Sequence, residues 1–317
     1  MNKNIKILVY GTGAVGAYFG LKLHTSGYNV VFAARGKTYE TILYKGITLD
    51  SINSGISRFD KINIINSEEN GIFNDYSDTF DIILFCVKSY DTDKNAKLIA
   101  GVLKKDGIIL SLQNGVENEY KLAEVFGRER TPGAVVFIAS SLEKNNYLKH
   151  TGSGKITFGK LFKEYSDEKS LFLKKIFDDA VIENCISDNI KKNLWTKLVW
   201  NASFNAVSVA LNATVMEMIE SEHAVYLLRG AMNEVLQTAD AQGLIIDKSI
   251  IDNFLDKNTN IGEFKTSMLQ DFEKGKMLEY EYLNGAVIRY AKKYNVSVPV
   301  NIALYNILAF LDKRGKL

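Results

Sequence analysis

The spacing of hydrophobic positions changes partway along the chain. Up to about residue 187, short apolar runs alternate with helix-spaced patterns, as in strand–helix–strand units built around a parallel sheet. Ile5–Tyr10 and Asn29–Ala34 read as buried strands flanking a helix at Ala14–Ser26. Ile82–Val87 and Gly107–Leu112 read as further strands with a helix over Asp93–Leu103 between them, and Thr131–Ser140 as another strand. Across Ile47–Asn66 the alternation, as in Ile62-Asn63-Ile64, suits an antiparallel or edge strand. From Ser187-Asp188-Asn189 to Leu317 helical periodicity takes over and strand signals nearly vanish. The pattern predicts an α/β fold: a doubly wound sheet domain over 1–187, then an all-helical domain over 188–317.

Composition narrows the class. A length of 317 residues suits two domains, and 46% hydrophobic against 24% charged residues excludes wholesale disorder. The net charge of +2 argues against a nucleic-acid or membrane-surface partner. Two prolines leave long helices uninterrupted. Two distant cysteines and three scattered histidines build neither a disulfide framework nor a zinc site, so no metal is expected. Cys86, inside an apolar run, reads as a small buried hydrophobe. Met1-Asn2-Lys3-Asn4 leads into a strand with no secretory pattern, so a cytoplasmic location is expected. Leu198–Met216 is charge-free but holds Asn201, Ser203, Asn205, Ser208, Asn212 and Thr214, too polar for lipid and suited to a protein interior or pocket.

The first strand runs into Gly11-Thr12-Gly13-Ala14-Val15-Gly16, which opens a helix. The first glycine permits the turn, the second lets backbone approach a pyrophosphate, and the third packs helix on strand. In that strand–turn–helix context the first domain reads as a Rossmann-type, dinucleotide-binding domain. The second strand ends without the carboxylate that grips an NAD ribose. Arg35 stands there instead, 24 residues after Gly11. A guanidinium suits a 2′-phosphate, so NADP(H) is expected, with a plain surface cation as the alternative. Lys88 and Asn114 each follow a parallel strand at its carboxyl end, where ligands bind; either alone also fits a solvated loop.

In the second half, Lys197, Asn201 and Asn205 are spaced i, i+4, i+8. On an α-helix they form one polar stripe drifting only ~40° per step. A lysine at the mouth of an apolar helix is suited to proton transfer. A snorkelling lysine beside core asparagines fits the spacing equally well. Thr266–Asp271 and Glu279–Gly285 carry Ser267 and Glu279, for which spacing alone assigns no role beyond helix-end or solvated positions.

Taken together, these segments resemble the ketopantoate reductase (2-dehydropantoate 2-reductase) family. The likeness lies in the glycine loop, the Arg after the second strand, V-K-S, Q-N-G-V, L-W-x-K-L-x-x-N-x-x-x-N, S-M-L-Q-D, E-x-E-x-L-N-G and V-P-x-N, in order from Gly11 to Asn301. The resemblance implies NADPH-dependent reduction of ketopantoate to pantoate, which serves pantothenate and coenzyme A synthesis, in a cleft between the two domains. It implies that Lys197 is the general acid and that Asn114 orients cofactor and substrate. Asn201, Asn205 and Ser267 match substrate contacts, Glu279 a carboxylate shared by cofactor and substrate, and Lys88 and Ala139 further cofactor contacts. The expected partners are a small 2-keto acid and a second copy of the chain as a homodimer. Phe264, Leu278 and Glu281 depart from the family pattern, which commonly has Asn, Thr and Asp there. Reduction of another branched 2-keto acid is therefore the alternative, and a non-catalytic NADPH-binding sensor a further one.

Overall fold

A computed structural model describes residues 4–257 and 264–314. The chain forms two compact units, one of residues 1–113 and 118–190, the other of residues 114–117 and 191–317.

The first unit holds two sheets. Strands β1 (Lys6–Tyr10), β2 (Asn29–Ala34), β5 (Asn63–Asn66), β6 (Phe80–Phe85) and β7 (Leu103–Ser111) form a parallel sheet in the order β5-β2-β1-β6-β7. That is the order of a dinucleotide-binding sheet with its reversal at β1. Alternation along β1 sends Ile7 and Val9 into one core and Leu8 and Tyr10 into another, so both faces are buried. Helices α1 (Ala14–Thr25) and α2 (Gly36–Lys45) contribute Phe19, Leu21 and Ile42 to the first core. Helices α3 (Thr92–Leu98) and α4 (Asn118–Phe126) contribute Ala96, Leu122 and Phe126 to the second.

The second sheet contains β3 (Ile47–Ser51), β4 (Gly55–Phe59), β8 (Gly133–Glu143), β9 (Tyr147–Gly159) and β10 (Asn184–Ile186). It shares the first core with α5 (Asp167–Asp179), through Leu49, Val136, Ile156 and Phe177. The irregular stretch Ile47–Asn66 thus resolves into an antiparallel β3–β4 hairpin and a parallel edge strand, β5. The strand expected at Thr131–Ser140 exists as β8, but it pairs antiparallel with β9 in this second sheet. The strand expected at Ile82–Val87 runs from Phe80 to Phe85. The helix expected to reach Leu103 stops at Leu98, because Leu103 already pairs with Phe80 as the first residue of β7.

The second unit is helical among its described residues. Its elements are α6 (Ile190–Trp200, whose first residue groups with the other unit), a π turn (Asn201–Asn205), α7 (Ala206–Leu211), α8 (Val215–Glu220), α9 (Glu222–Asp240), α10 (Ser249–Phe254), α11 (Ser267–Glu273), α12 (Asn284–Tyr294) and α13 (Pro299–Arg314). A reciprocal Thr214–Glu217 capping box starts α8, and the Ser221 hydroxyl caps α9. The apolar face of α9, with Leu228, Ala231, Met232, Val235 and Ala239 buried, packs on the π turn, α8, α12 and α13. The charge-free stretch lies in this core: residues 201–209 are all buried. Among the described residues, no helix is long and apolar enough to cross a membrane.

Candidate active site

After Tyr10 the backbone turns through Gly11 at φ +99°, a left-handed value that glycine adopts without strain. The N–H groups of Gly11 and Thr12 and the Thr12 hydroxyl all donate to the Ala33 carbonyl of β2, at 3.1, 3.1 and 2.9 Å. The loop is thereby fixed to the neighbouring strand. A Cβ on Gly11 would lie 2.8 Å from the Val87 nitrogen, and one on Gly16 would lie 2.3 Å from the Gly11 carbonyl oxygen. Close packing requires glycine at both. Gly13 differs: it is exposed, and a Cβ there meets nothing within 4 Å. As N-cap of α1 it offers no side chain to the first N–H groups, and no acidic residue stands in the first turn. Those unpaired donors and the positive dipole end, beside an open glycine, fit a pyrophosphate.

Arg35 is the N-cap residue of α2, and its half-exposed guanidinium donates to Asp91 Oδ2 at 2.9 Å. Asp91 is itself held in place. Asn95 donates to its carbonyl at 2.8 Å, and the Tyr10 hydroxyl donates to Asn95 Oδ1 at 2.6 Å. Burial pushes the Tyr10 phenol up, which keeps its proton available as the donor. Half-buried Lys88 follows β6 and precedes the 3₁₀ turn Ser89–Asp91, its carbonyl accepting the Asp91 N–H at 2.9 Å. Arg35 and the Lys88 segment therefore meet at Asp91, a residue the sequence reading did not single out. Ala139 lies on β8, opposite Gly152 at a register irregularity of the second sheet, and not at a parallel strand end.

In the helical unit, half-buried Lys197 occupies the last turn of α6 between buried Leu194, Trp195, Leu198 and Val199. Its Nζ donates to Asn114 Oδ1 at 2.8 Å. Asn114 heads the four-residue segment that follows β7 in the chain and groups with the helices. The far end of that segment is held by Arg289, whose Nε and Nη2 donate to the two Glu117 carboxylate oxygens at 3.2 and 2.6 Å. Arg289 also pairs with Glu281. Burial pulls the arginine pKa down, but the two carboxylates outweigh it and the net shift is upward. The Tyr305 hydroxyl donates to Glu281 at 2.5 Å, a bond that with burial pushes the phenol up to about 12. The Glu281 departure from the family pattern is thus engaged with Arg289 and Tyr305.

Asn201 and Asn205 are buried on the π turn, with Asn205 Nδ2 donating to Asn201 Oδ1 at 3.4 Å. The expected α-helical stripe is corrected here. A π turn advances less per residue, which counters the ~40° drift of four α-helical residues and brings the two amides face to face. Ser203 fills the widened turn, donating to the Val199 carbonyl at 2.6 Å and the Trp200 carbonyl at 3.2 Å. Ser208 Oγ donates to the Asn205 carbonyl at 3.0 Å, so its 2.6 Å contact with Thr266 Oγ1 uses the threonine proton. Thr266 in turn caps α11, accepting the Leu269 N–H at 3.2 Å. Exposed Ser267 is the first residue of that helix. Glu279 is buried, 7% exposed, at the start of the 3₁₀ turn Tyr280–Tyr282. Among the departures, half-buried Phe264 accepts the Val215 N–H on its carbonyl at 3.0 Å, and buried Leu278 donates its N–H to Asp312 at 3.2 Å.

Known proteins place the chain in context. The family model "Ketopantoate reductase PanE/ApbA" matches residues 7–162, and its C-terminal counterpart matches residues 189–312. A 2-dehydropantoate 2-reductase from Nostoc sp. is 29% identical over 98% of this chain and 96% of its own. The crystal structure of 2-dehydropantoate 2-reductase from Geobacter metallireducens is similar at TM-score 0.89 and 30% identity, over 96% of this chain and 99% of that one. The ternary structure of D-mandelate dehydrogenase with NADH and anilino(oxo)acetate shares the fold at TM-score 0.90 and 24% identity, over 99% of this chain and 100% of that one.

Proposed function

Because the chain belongs to the ketopantoate reductase family, a family of oxidoreductases, we propose that it reduces ketopantoate to pantoate with NADPH, using Lys197 as the general acid. The observation that carries this reading is the 2.8 Å bond from Lys197 Nζ to Asn114 Oδ1. It aims an ammonium at the segment following β7, amid an otherwise apolar helix turn.

In this reading residues 1–187 hold the dinucleotide and residues 188–317, with Asn114, hold the substrate and its acid. The first-turn N–H groups of α1 and the open Gly13 receive the pyrophosphate, Arg35 grips the 2′-phosphate, and Lys88, Ala139 and Glu279 add further cofactor contacts. When bound, NADPH supplies the hydride that adds to the keto carbon. Negative charge then develops on the carbonyl oxygen, and the Lys197 ammonium both stabilises and protonates it. Asn114 restricts where that ammonium points, which lowers the entropic cost of reaching the reactive geometry. Asn201, Asn205 and Ser267 offer amide and hydroxyl groups to the substrate's polar atoms, and Glu279 a carboxylate.

Phe264 favours a second reading. It puts an aromatic side chain where the family commonly has an amide, which suits a 2-keto acid with a less polar tail. The test is oxidation of NADPH by purified protein against a 2-keto acid panel including ketopantoate, its analogue lacking the hydroxyl, and an aryl 2-keto acid. Strong preference for ketopantoate supports the first reading, since a site that hydrogen-bonds a hydroxyl rejects the analogue lacking it by orders of magnitude. Equal or better turnover of the other acids replaces it with the second. NADPH binding without any turnover leaves only a sensor.

A further inference from the structure

Two fully buried asparagines outside the assigned site, Asn284 at the start of α12 and Asn301 near the start of α13, point toward the π turn through a one-way series of hydrogen bonds. The series begins at Glu234 on α9. Its carboxylate accepts the N–H groups of Val300 and Asn301, each at 2.8 Å, and the Asn301 amide at 2.8 Å. The Ala231 carbonyl accepts from the same Asn301 Nδ2 at 3.1 Å. Both partners are acceptors, so the Asn301 nitrogen must face them and its Oδ1 must face Asn284. Asn284 answers with its Nδ2, which donates to Asn301 Oδ1 at 3.0 Å and to the Ala202 carbonyl at 2.7 Å. Asn284 Oδ1 is left buried with no hydrogen-bond partner. Leaving a buried acceptor unmade is unfavourable. A flip of the amide would be worse, since it would set that oxygen against two other oxygens.

Ala202 lies between Asn201 and Asn205, inside the widened turn. A π turn is uncommon, and its carbonyls sit off the regular i→i−4 ladder, so it persists where neighbouring groups support it. Ser203 supports this one from within and Asn284 from outside. We propose that Asn284 is a positioning residue: by holding the Ala202 carbonyl it sets the π turn, and thereby where the Asn201 and Asn205 amides present themselves to the substrate. This rests on the reading that those two asparagines hold the keto acid.

The test is a double-mutant cycle on the full chain with Asn284→Leu, Asn205→Ala and the pair. For each protein, kcat and KM for the keto acid the wild type turns over, NADPH Kd by fluorescence titration, and Tm are measured. A displacement of about 1 Å in a substrate-holding group costs up to ~10²-fold. Asn284→Leu is expected to lower kcat/KM on that scale with NADPH Kd unchanged, and the pair to lose clearly less than the product of the two single losses. A merely structural role would lower Tm while leaving kcat/KM per folded molecule near wild type, or give additive losses; either result overturns the inference. Should the leucine variant not fold, Asn284→Gln, which keeps a donor on a longer arm, enters the same cycle with the same expected coupling. A wild type inactive on every keto acid sinks the functional reading itself, a result distinct from an active wild type indifferent to Asn284.

Discussion

Removing the Asn114 side chain deletes the 2.8 Å bond it accepts from Lys197. The donor is an ammonium on a half-buried lysine and the acceptor a neutral amide oxygen. Hydrogen bonds to charged groups contribute about 1.5–3 kcal/mol, which at ~1.4 kcal/mol per tenfold corresponds to roughly 10–150-fold. Asn114→Ala is therefore expected to lower kcat by that factor. The ammonium remains but loses the acceptor that helps to aim it. Asn114→Asp should not restore the rate, because an anionic acceptor binds the lysine proton more tightly and opposes its transfer. Steady-state kcat and KM with NADPH and the keto acid, together with circular dichroism to establish folding, read the effect. Near-wild-type kcat in a folded Asn114→Ala variant would refute the argument that this bond orients the acid.

Three further outcomes follow from the first unit. Arg35→Ser should lower the preference for NADPH over NADH by more than tenfold, about 1.4 kcal/mol, while its exposed pair with Asp91 contributes at most ~1 kcal/mol to stability; unchanged kcat/KM ratios for the two cofactors would take Arg35 out of the site. Gly13→Ala, with open space around the added Cβ, should leave Tm intact but weaken NADPH binding, whereas Gly16→Ala, 2.3 Å from the Gly11 oxygen, should lower both; a silent Gly13→Ala in a titration would mean the loop does not approach the cofactor. His150 is 1% exposed, its Nδ1 2.9 Å from the Ser51 hydroxyl and its Nε2 2.9 Å from the Ser153 carbonyl. Because burial lowers its pKa from 6.5, its share of stability is complete above the unfolded value and is lost as pH falls below about 6.5; Tm should drop more steeply toward acid in wild type than in His150→Gln, and equal slopes would exclude the histidine as the cause.

The parallel sheet was readable because its determinants are local. Runs such as Ile7–Val9 and Ile82–Leu84 are buried on both faces and apolar throughout, and the Gly11 turn marks where strand gives way to helix. The second sheet was not readable as such. β9 has the sequence Tyr-Leu-Lys-His-Thr-Gly-Ser-Gly-Lys-Ile-Thr-Phe-Gly, whose polar and glycine positions carry little strand signal until β8 and β3 pair with it. At the candidate site, motif residues stood out but their linkage did not. Lys197 and Asn114 are 83 positions apart, Ser208 and Thr266 are 58, and Arg289 and Glu117 are 172. The π turn had no signature either, since Asn-Ala-Ser-Phe-Asn satisfies an α-helical stripe equally well. What selects the wider turn includes the Ser203 hydroxyl within it and the Asn284 amide from another helix.

Single-turnover kinetics of Lys197→Ala with saturating NADPH and ketopantoate puts to the test the proposal that Lys197 delivers the proton in an NADPH-dependent reduction. A fall of about 10²–10⁴-fold in the chemical step is expected, with NADPH affinity unchanged and no rescue by Lys197→Arg, whose guanidinium does not give up its proton. A folded alanine variant that reduces ketopantoate at close to the wild-type rate would contradict the claim.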